Sequence, residues 1–95
     1  MKSFLYVVGN SVSGPVKLGF SNDPPKRLKQ LQTGHAEKLE LYYQHEVNDG
    51  RLYEGLLHKT FNHNRRIGEW FDLTVDEAIA YIQFILIEYG PSDLI

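Results

Sequence analysis

The sequence predicts one α+β domain, covering residues 1–95, in which a small antiparallel sheet of three strands is flanked by helices. Two short apolar runs near the N-terminus are separated by a Gly/Ser/Pro break, which is typical of a β-hairpin. Later segments repeat apolar residues at spacings of three and four, which indicates helices with one buried face. The chain has 95 residues, of which 42% are hydrophobic and 23% charged, as in a soluble domain of ordinary size. These observations together predict the α+β class.

The predicted hairpin joins a strand at Phe4–Val8 to a strand at Val16–Ser21. Alternation along the second strand places Lys17 on the face opposite to its apolar neighbours. Lys17 and Tyr6 would then lie near each other, and a cation beside a phenol favours the phenolate. The hairpin is therefore a candidate for part of a catalytic site. An exposed lysine that protects a strand edge would fit the same pattern.

The first helix and the third strand follow the hairpin. Asn22 or Asp23 can cap a helix whose first turn contains Pro24–Pro25, where a missing N–H costs little. Thr33–Gly34 provides the helix end. Alternating and aromatic residues at Leu39–His45 predict the third strand.

A second helix is predicted from about Asp49 to Phe61. Its buried stripe falls at spacings of three and four and consists of Tyr53, Leu56, Leu57 and Phe61. A polar stripe lies on another side of the same helix and consists of Arg51, Glu54, His58 and Asn62. The polar stripe thus sets a carboxylate and an imidazole one turn apart.

An extended segment or short edge strand is predicted at Glu69–Leu73. Its aromatic residues Trp70 and Phe71 could stack on bases. Core packing is the stronger expectation, because a chain this small needs its large aromatic side chains inside. The other histidines belong to no recognisable cluster and are predicted to lie on the surface or in loops; they are His35, His45 and His63.

The C-terminal helix is predicted from its capping residues. Thr74 as N-cap and Glu77 three residues later form a capping box. A regular apolar stripe follows, and Gly90–Pro91 is expected to end the helix.

Charge and composition limit which polymers, metals and cellular locations are expected for this chain. The net charge is −2, which argues against gripping a polyanion through overall positive charge, so the local clusters at 26–29 and 65–66 would have to do so. Cysteine is absent, so a metal would be held by carboxylate, imidazole, carbonyl or water, which favours a hard cation such as magnesium. No stretch approaches a membrane span or a secretory signal, which predicts a cytoplasmic protein without membrane contact.

The ordered positions of Tyr6, Lys17-Leu18-Gly19, Arg27 and Glu54 resemble the GIY-YIG nuclease superfamily, over most of the chain. Further segments resemble a phage and bacterial branch that is often described as DNA-binding; they are Val16–Ser21, Arg27–Gly34, Glu54 with Leu57-His58, and Gly68–Phe71. The sequence departs from the pattern at two positions. Phe4 stands where the first glycine usually is, and Lys17 stands where the second motif usually begins with tyrosine.

The resemblance implies a metal-dependent endonuclease that binds DNA and hydrolyses phosphodiester bonds. Tyr6 would be the base, Lys17 and Arg27 would contact phosphate, and Glu54 would hold Mg²⁺ or Mn²⁺. His58, one turn from Glu54, would orient that carboxylate, contact phosphate or ligate the metal. Specificity would come from a homodimer or from a partner protein.

Two alternative functions would use the same fold without catalysing phosphodiester hydrolysis. One is a non-catalytic nucleic-acid-binding module, and the other is a regulatory or protein-interaction domain, which the net negative charge favours. DNA binding that weakens with salt, without metal-dependent cleavage, would distinguish the first. The absence of measurable DNA affinity at physiological salt would indicate the second.

Overall fold

The computed structural model describes residues 3–66, 68 and 70–94, and the side chains of these residues as far as position 88. Its elements follow the predicted order of strand, strand, helix, strand, helix, short strand and helix. A single turn of 3₁₀-helix, Asn62–Asn64, follows the second helix. The strands and α-helices are β1 Ser3–Gly9, β2 Val16–Ser21, α1 Pro24–Thr33, β3 Glu40–Val47, α2 Gly50–Thr60, β4 Trp70–Phe71 and α3 Val75–Leu94.

The four strands form one antiparallel sheet in the order β3-β1-β2-β4. The α+β class and the hairpin are confirmed, but the predicted number of three strands is wrong. β4 pairs Phe71 with Val16 and Trp70 with Lys17. This is the short edge strand predicted around Trp70 and Phe71; two residues are too few to show a period-2 pattern, so its place in the sheet follows only from its pairing with β2. Glu69, at which the predicted extended segment began, lies outside the described residues.

Alternation along β1 divides the apolar residues between the two faces of the sheet. Leu5 and Val7 belong to the larger core, into which α2 and α3 also place their apolar residues. Tyr6 and Val8 point to the opposite face, which α1 covers. The residues packed on that second face are Tyr6, Val8, Leu39, Leu28, Leu31, Leu41 and Trp70.

A β-bulge adjusts the pairing of β1 with β3. Val7 pairs with Tyr43 and Val8 pairs with Leu41, so Tyr42 is the extra residue. The bulge lets Tyr42 and Tyr43 both pack against the larger core, while Leu41 stays on the face of Val8. The bulge lies inside the predicted third strand. Strict alternation through the bulge would have assigned the residues on one side of it to the wrong face of the sheet.

The predicted helix starts are confirmed by their capping bonds. The Asp23 side chain accepts from the Lys26 amide at 3.2 Å, and the Asp49 side chain accepts from the Leu52 amide at 3.1 Å. Each bond satisfies a backbone donor that has no partner within the first turn of its helix. The residues that begin α1 and α2 therefore set where each helix starts.

The C-terminal helix begins with the predicted capping box but does not end where predicted. The Thr74 amide donates to Glu77 at 2.8 Å, and the Glu77 amide donates to the Thr74 hydroxyl at 3.0 Å. α3 continues to Leu94, so Gly90–Pro91 does not end it. Proline has a helical φ, so it can lie within a helix, although it removes one backbone donor and its ring crowds the carbonyl four residues earlier. None of the helices in the described part of the chain has the length and apolar composition to cross a membrane.

Candidate functional site

Tyr6 lies directly over Gly19, its pairing partner on β2. The phenol is buried, with 2% of the residue exposed. A Cβ built at position 19 would come 2.6 Å from the Tyr6 Oη and 2.7 Å from Cζ. The tyrosine therefore occupies space that the side chain of any residue except glycine would need. Gly19 belongs to the sequence motif, but nothing in the motif indicates this packing role.

Lys17 lies on the same face as Tyr6, as strand alternation predicted. It pairs with Val8, so it is diagonal to Tyr6 across the two strands, within reach of a long side chain. Lys17 is only 9% exposed, so the alternative of an exposed edge lysine is wrong. Its Nζ lies 5.8 Å from the centre of the Trp70 ring, where the electron-rich face of the indole attracts a cation.

Arg27 is carried by the helix that covers this same face. α1 packs Leu28 and Leu31 against the cluster that contains Tyr6, and Arg27 precedes that apolar stripe. The side chain is half-buried, and its Nη1 donates to Gln30 Oε1 at 3.3 Å. That bond uses one of the five N–H donors of a guanidinium group, so Arg27 retains the capacity to bind an anion.

Glu54 belongs to α2, which packs against the other face of the sheet and reaches β2 at two points. A Cβ built at Gly50 would come 2.8 Å from the Phe20 side chain, so the backbone of α2 touches β2 there. One turn beyond Glu54, His58 Nε2 donates to the Leu18 carbonyl oxygen at 3.0 Å. Gly50, Glu54 and His58 follow one another at intervals of four, so the half-buried Glu54 lies on the side of α2 next to β2.

His58 is a bridge between α2 and β2. A carbonyl oxygen can only accept, so the proton of the neutral ring lies on Nε2. The described pairing of β4 with β2 ends at Lys17, and His58 supplies the donor for the next carbonyl of β2. The ring also lies 5.0 Å from that of Phe71. The bond to Leu18 holds this part of α2 against β2, and nothing in the sequence pattern indicated it.

The five candidate residues thus come from both faces of the sheet, and all except Arg27 lie on β2 or against it. Tyr6, Lys17 and α1 share one face, whereas Glu54 and His58 reach β2 from the other. Among the described residues there is no group of three or more His, Cys, Asp or Glu side chains that could hold a metal. A cation at Glu54 would therefore take its remaining ligands from water or substrate, as Mg²⁺ commonly does.

Trp70 and Phe71 have different environments, although both were expected in the core. Phe71 is fully buried in the larger core, which confirms the prediction for that residue. Trp70 is half-buried: it packs on the face of Tyr6 and also lines an open cavity of about 800 Å³. His35, expected on the surface or in a loop, is half-buried beside Trp70, with ring centroids 5.2 Å apart.

The four-stranded antiparallel sheet and its three helices define a small α+β domain. The T5orf172 domain family matches residues 3–86, and the chain belongs to that family. This membership supports a function related to nucleic acids. Comparisons with curated proteins and with solved structures gave no match.

Proposed function

We propose that this chain binds DNA and hydrolyses phosphodiester bonds with one divalent cation, Mg²⁺ or Mn²⁺, in the manner of the GIY-YIG superfamily. The observation that carries the proposal is that four of the five candidate residues lie on β2 or against it. Its Gly19 accommodates the Tyr6 phenol, its Lys17 shares that face, and its Leu18 carbonyl is bonded from the helix that bears Glu54. Family membership supports the link to nucleic acids.

Hydrolysis of a phosphodiester requires a deprotonated water, neutralised phosphoryl oxygens and help for the leaving oxygen. Tyr6 as phenolate would take the proton from the attacking water. A cation held next to a phenol favours the phenolate, and Lys17 lies diagonal to Tyr6 on the same face. Arg27 would bind the phosphoryl oxygens with two parallel N–H donors, a geometry that lysine does not offer.

Glu54 would hold the divalent cation. Its carboxylate oxygens are the ligand type that Mg²⁺ and Mn²⁺ prefer, and the side chain is half-buried beside β2. When bound, the cation supplies positive charge that stabilises the departing oxygen. His58 acts one turn away as a positioning residue, because its bond to Leu18 fixes this part of α2 against the strand.

The burial of Tyr6 favours a second candidate, which is DNA binding without turnover. A general base must reach the water that it deprotonates. Only 2% of Tyr6 is exposed, and its Oη lies over the backbone of Gly19. If the phenol stays closed off when DNA is bound, the cationic residues bind the phosphate backbone and no cleavage follows.

Cleavage of supercoiled plasmid in Mg²⁺ or Mn²⁺ tests the proposal. Tyr6→Phe and Glu54→Gln should each lower the nicking rate by about 100-fold or more, since each removes a group required for the chemical step. Glu46→Gln is the matched control, because it changes an exposed carboxylate on β3 and should leave the rate unchanged.

Three outcomes separate the candidate functions. Nicking that neither Tyr6→Phe nor Glu54→Gln reduces would contradict the mechanism. DNA binding that weakens with salt, without metal-dependent nicking by the wild type, would indicate the binding module. The absence of DNA affinity at physiological salt would indicate a regulatory or protein-interaction domain.

A further inference from the structure

The open cavity beside Trp70 is separate from the five candidate residues but adjoins one of them. Its wall is formed by the turn between β1 and β2, the connection between α1 and β3, and the segment around β4. Its volume of about 800 Å³ is in the range of sites that hold small molecules. Trp70 lines this cavity and also lies 5.8 Å from Lys17 Nζ, so the cavity is next to the proposed phosphate contact.

Two aromatic rings form part of the wall. Trp70 and His35 have ring centroids 5.2 Å apart and planes tilted by 39°. Both residues are half-buried, so each ring is partly supported by the protein and partly open to the cavity. A tryptophan held in this way is a platform on which a flat heterocycle can stack.

The Nδ1 atom of His35 is a polar atom whose hydrogen bond is missing. It is buried, and the described part of the chain supplies no group within hydrogen-bonding distance. A buried polar atom without a partner is costly, and such atoms are rare in folded proteins. His35 lines the cavity but its Nδ1 is buried, so a ligand there would supply the missing bond once the imidazole turns toward it.

Two arginines line the same cavity, together with the carboxylates of Glu37 and Asp72. Arg66 Nε lies 3.4 Å from Asp72 Oδ1, but the two side chains are 53% and 64% exposed, so this ion pair is weak and easily exchanged for another anion. Arg65 lies with its guanidinium carbon 5.5 Å from the centre of the Phe71 ring. Guanidinium groups bind phosphate in a bidentate manner, so the cavity combines a stacking surface with anion donors.

We propose that this cavity binds one unpaired nucleotide of the DNA strand, next to the phosphate that Lys17 contacts. The base stacks on Trp70, its polar edge bonds to His35 Nδ1, and its phosphate lies at Arg65 and Arg66. The inference depends on the proposed function for the identity of the polymer and adds the substrate class. A base inside a duplex cannot enter a pocket without leaving its stack, so the preferred substrate is single-stranded or has an extruded base.

Fluorescence of Trp70 tests occupancy directly, because it is the only tryptophan in the chain. The intact protein is titrated without metal, so that no cleavage occurs, with a short oligothymidylate. The comparison ligands are an abasic oligomer with the same number of phosphates and a blunt duplex. Oligothymidylate should quench the fluorescence and bind roughly tenfold more tightly than the abasic oligomer, which corresponds to the stacking of one base.

Three variants assign the contacts. Arg66→Gln should weaken both single-stranded ligands and lower the salt dependence of binding by about one phosphate contact. His35→Phe keeps a ring beside Trp70 but removes Nδ1, so it should weaken the thymidylate alone. Lys59→Gln, an exposed charge on α2, is the control and should change neither affinity by more than about twofold.

Equal quenching and affinity for the thymidylate and the abasic oligomer would overturn the proposal, since the cavity would then bind phosphate alone. Equal affinity for the blunt duplex would also overturn it. Either result leaves plasmid nicking unaffected, so the proposed function would stand. Conversely, base-dependent quenching in a protein that does not nick plasmid would support the nucleotide site and contradict the hydrolytic function.

Discussion

The packing of Tyr6 over Gly19 makes Gly19→Ala the most direct test of the candidate site. The new methyl group would lie 2.6 Å from Oη and 2.7 Å from Cζ of the tyrosine. Ordinary contacts between such atoms are about 3.5 Å or longer, so the ring or the strand must move by roughly 1 Å. Tyr6 is 2% exposed and packed among apolar residues, so the ring has little room to turn toward solvent.

Two opposing terms give the expected magnitude of the loss in stability. Overpacking a tight core by a methyl group costs roughly 1–3 kcal/mol. Replacing glycine by alanine within a strand returns roughly 0.5–1 kcal/mol, because the unfolded chain loses less freedom. Because the overlap is about 1 Å and the ring cannot turn away, the overpacking cost should lie in the upper part of its range, at roughly 2–3 kcal/mol. The free energy of unfolding should therefore fall by roughly 1–2.5 kcal/mol, and the melting temperature by roughly 4–20 °C for a domain of this size.

Urea unfolding followed by circular dichroism measures this change, with Gly55→Ala as the matched control. Gly55 lies within α2, and a Cβ built there meets no described atom within 4 Å, so alanine should stabilise the protein by roughly 0.5–1 kcal/mol. In a Tyr6→Leu background the shorter side chain removes the overlap, and Gly19→Ala should then cost little. The reasoning is refuted if Gly19→Ala alone is as stable as the wild type, or if its cost persists with leucine at position 6.

Two further substitutions test Lys17, which lies beside Trp70 of β4, and His58, which bonds to Leu18 of β2. Lys17→Met keeps the aliphatic stem beside Trp70 and removes the charge; the salt dependence of DNA affinity should fall by about one phosphate contact, and an unchanged slope would contradict the phosphate role. His58→Phe removes the donor to Leu18 while keeping a ring near Phe71, so stability to urea should fall by roughly 1–2 kcal/mol both with and without Mg²⁺. A loss seen only with Mg²⁺ present would instead indicate a metal ligand.

The predictions that the structure confirms are those set by local interactions. Asp23, Asp49 and Thr74 cap their helices through bonds to residues three positions away, so a short stretch of sequence contains the whole signal. The hairpin is local in the same sense. The short strand β4 was predicted, but its membership of the sheet was not. It has only two residues and pairs with a strand more than 50 residues earlier.

The environments of Lys17 and His58 could not be predicted for a related reason. Alternation gave the correct face for Lys17, but its burial depends on Trp70, which β4 brings to that face. The bond from His58 to Leu18 joins residues 40 positions apart and depends on how α2 lies along β2. In both cases the residue type was recognised, and the partner was supplied by tertiary packing.

The packing of Tyr6 over Gly19 also helps to fix the register of the hairpin. A slip of one residue between β1 and β2 would place Leu18 or Phe20 opposite Tyr6 instead of Gly19. Neither position offers the space that the phenol occupies, and both residues are needed in the larger core. The observed register alone therefore accommodates the tyrosine. A substitution at Gly19 should consequently perturb strand pairing and the candidate base together, which is why its effect on stability is informative about the site.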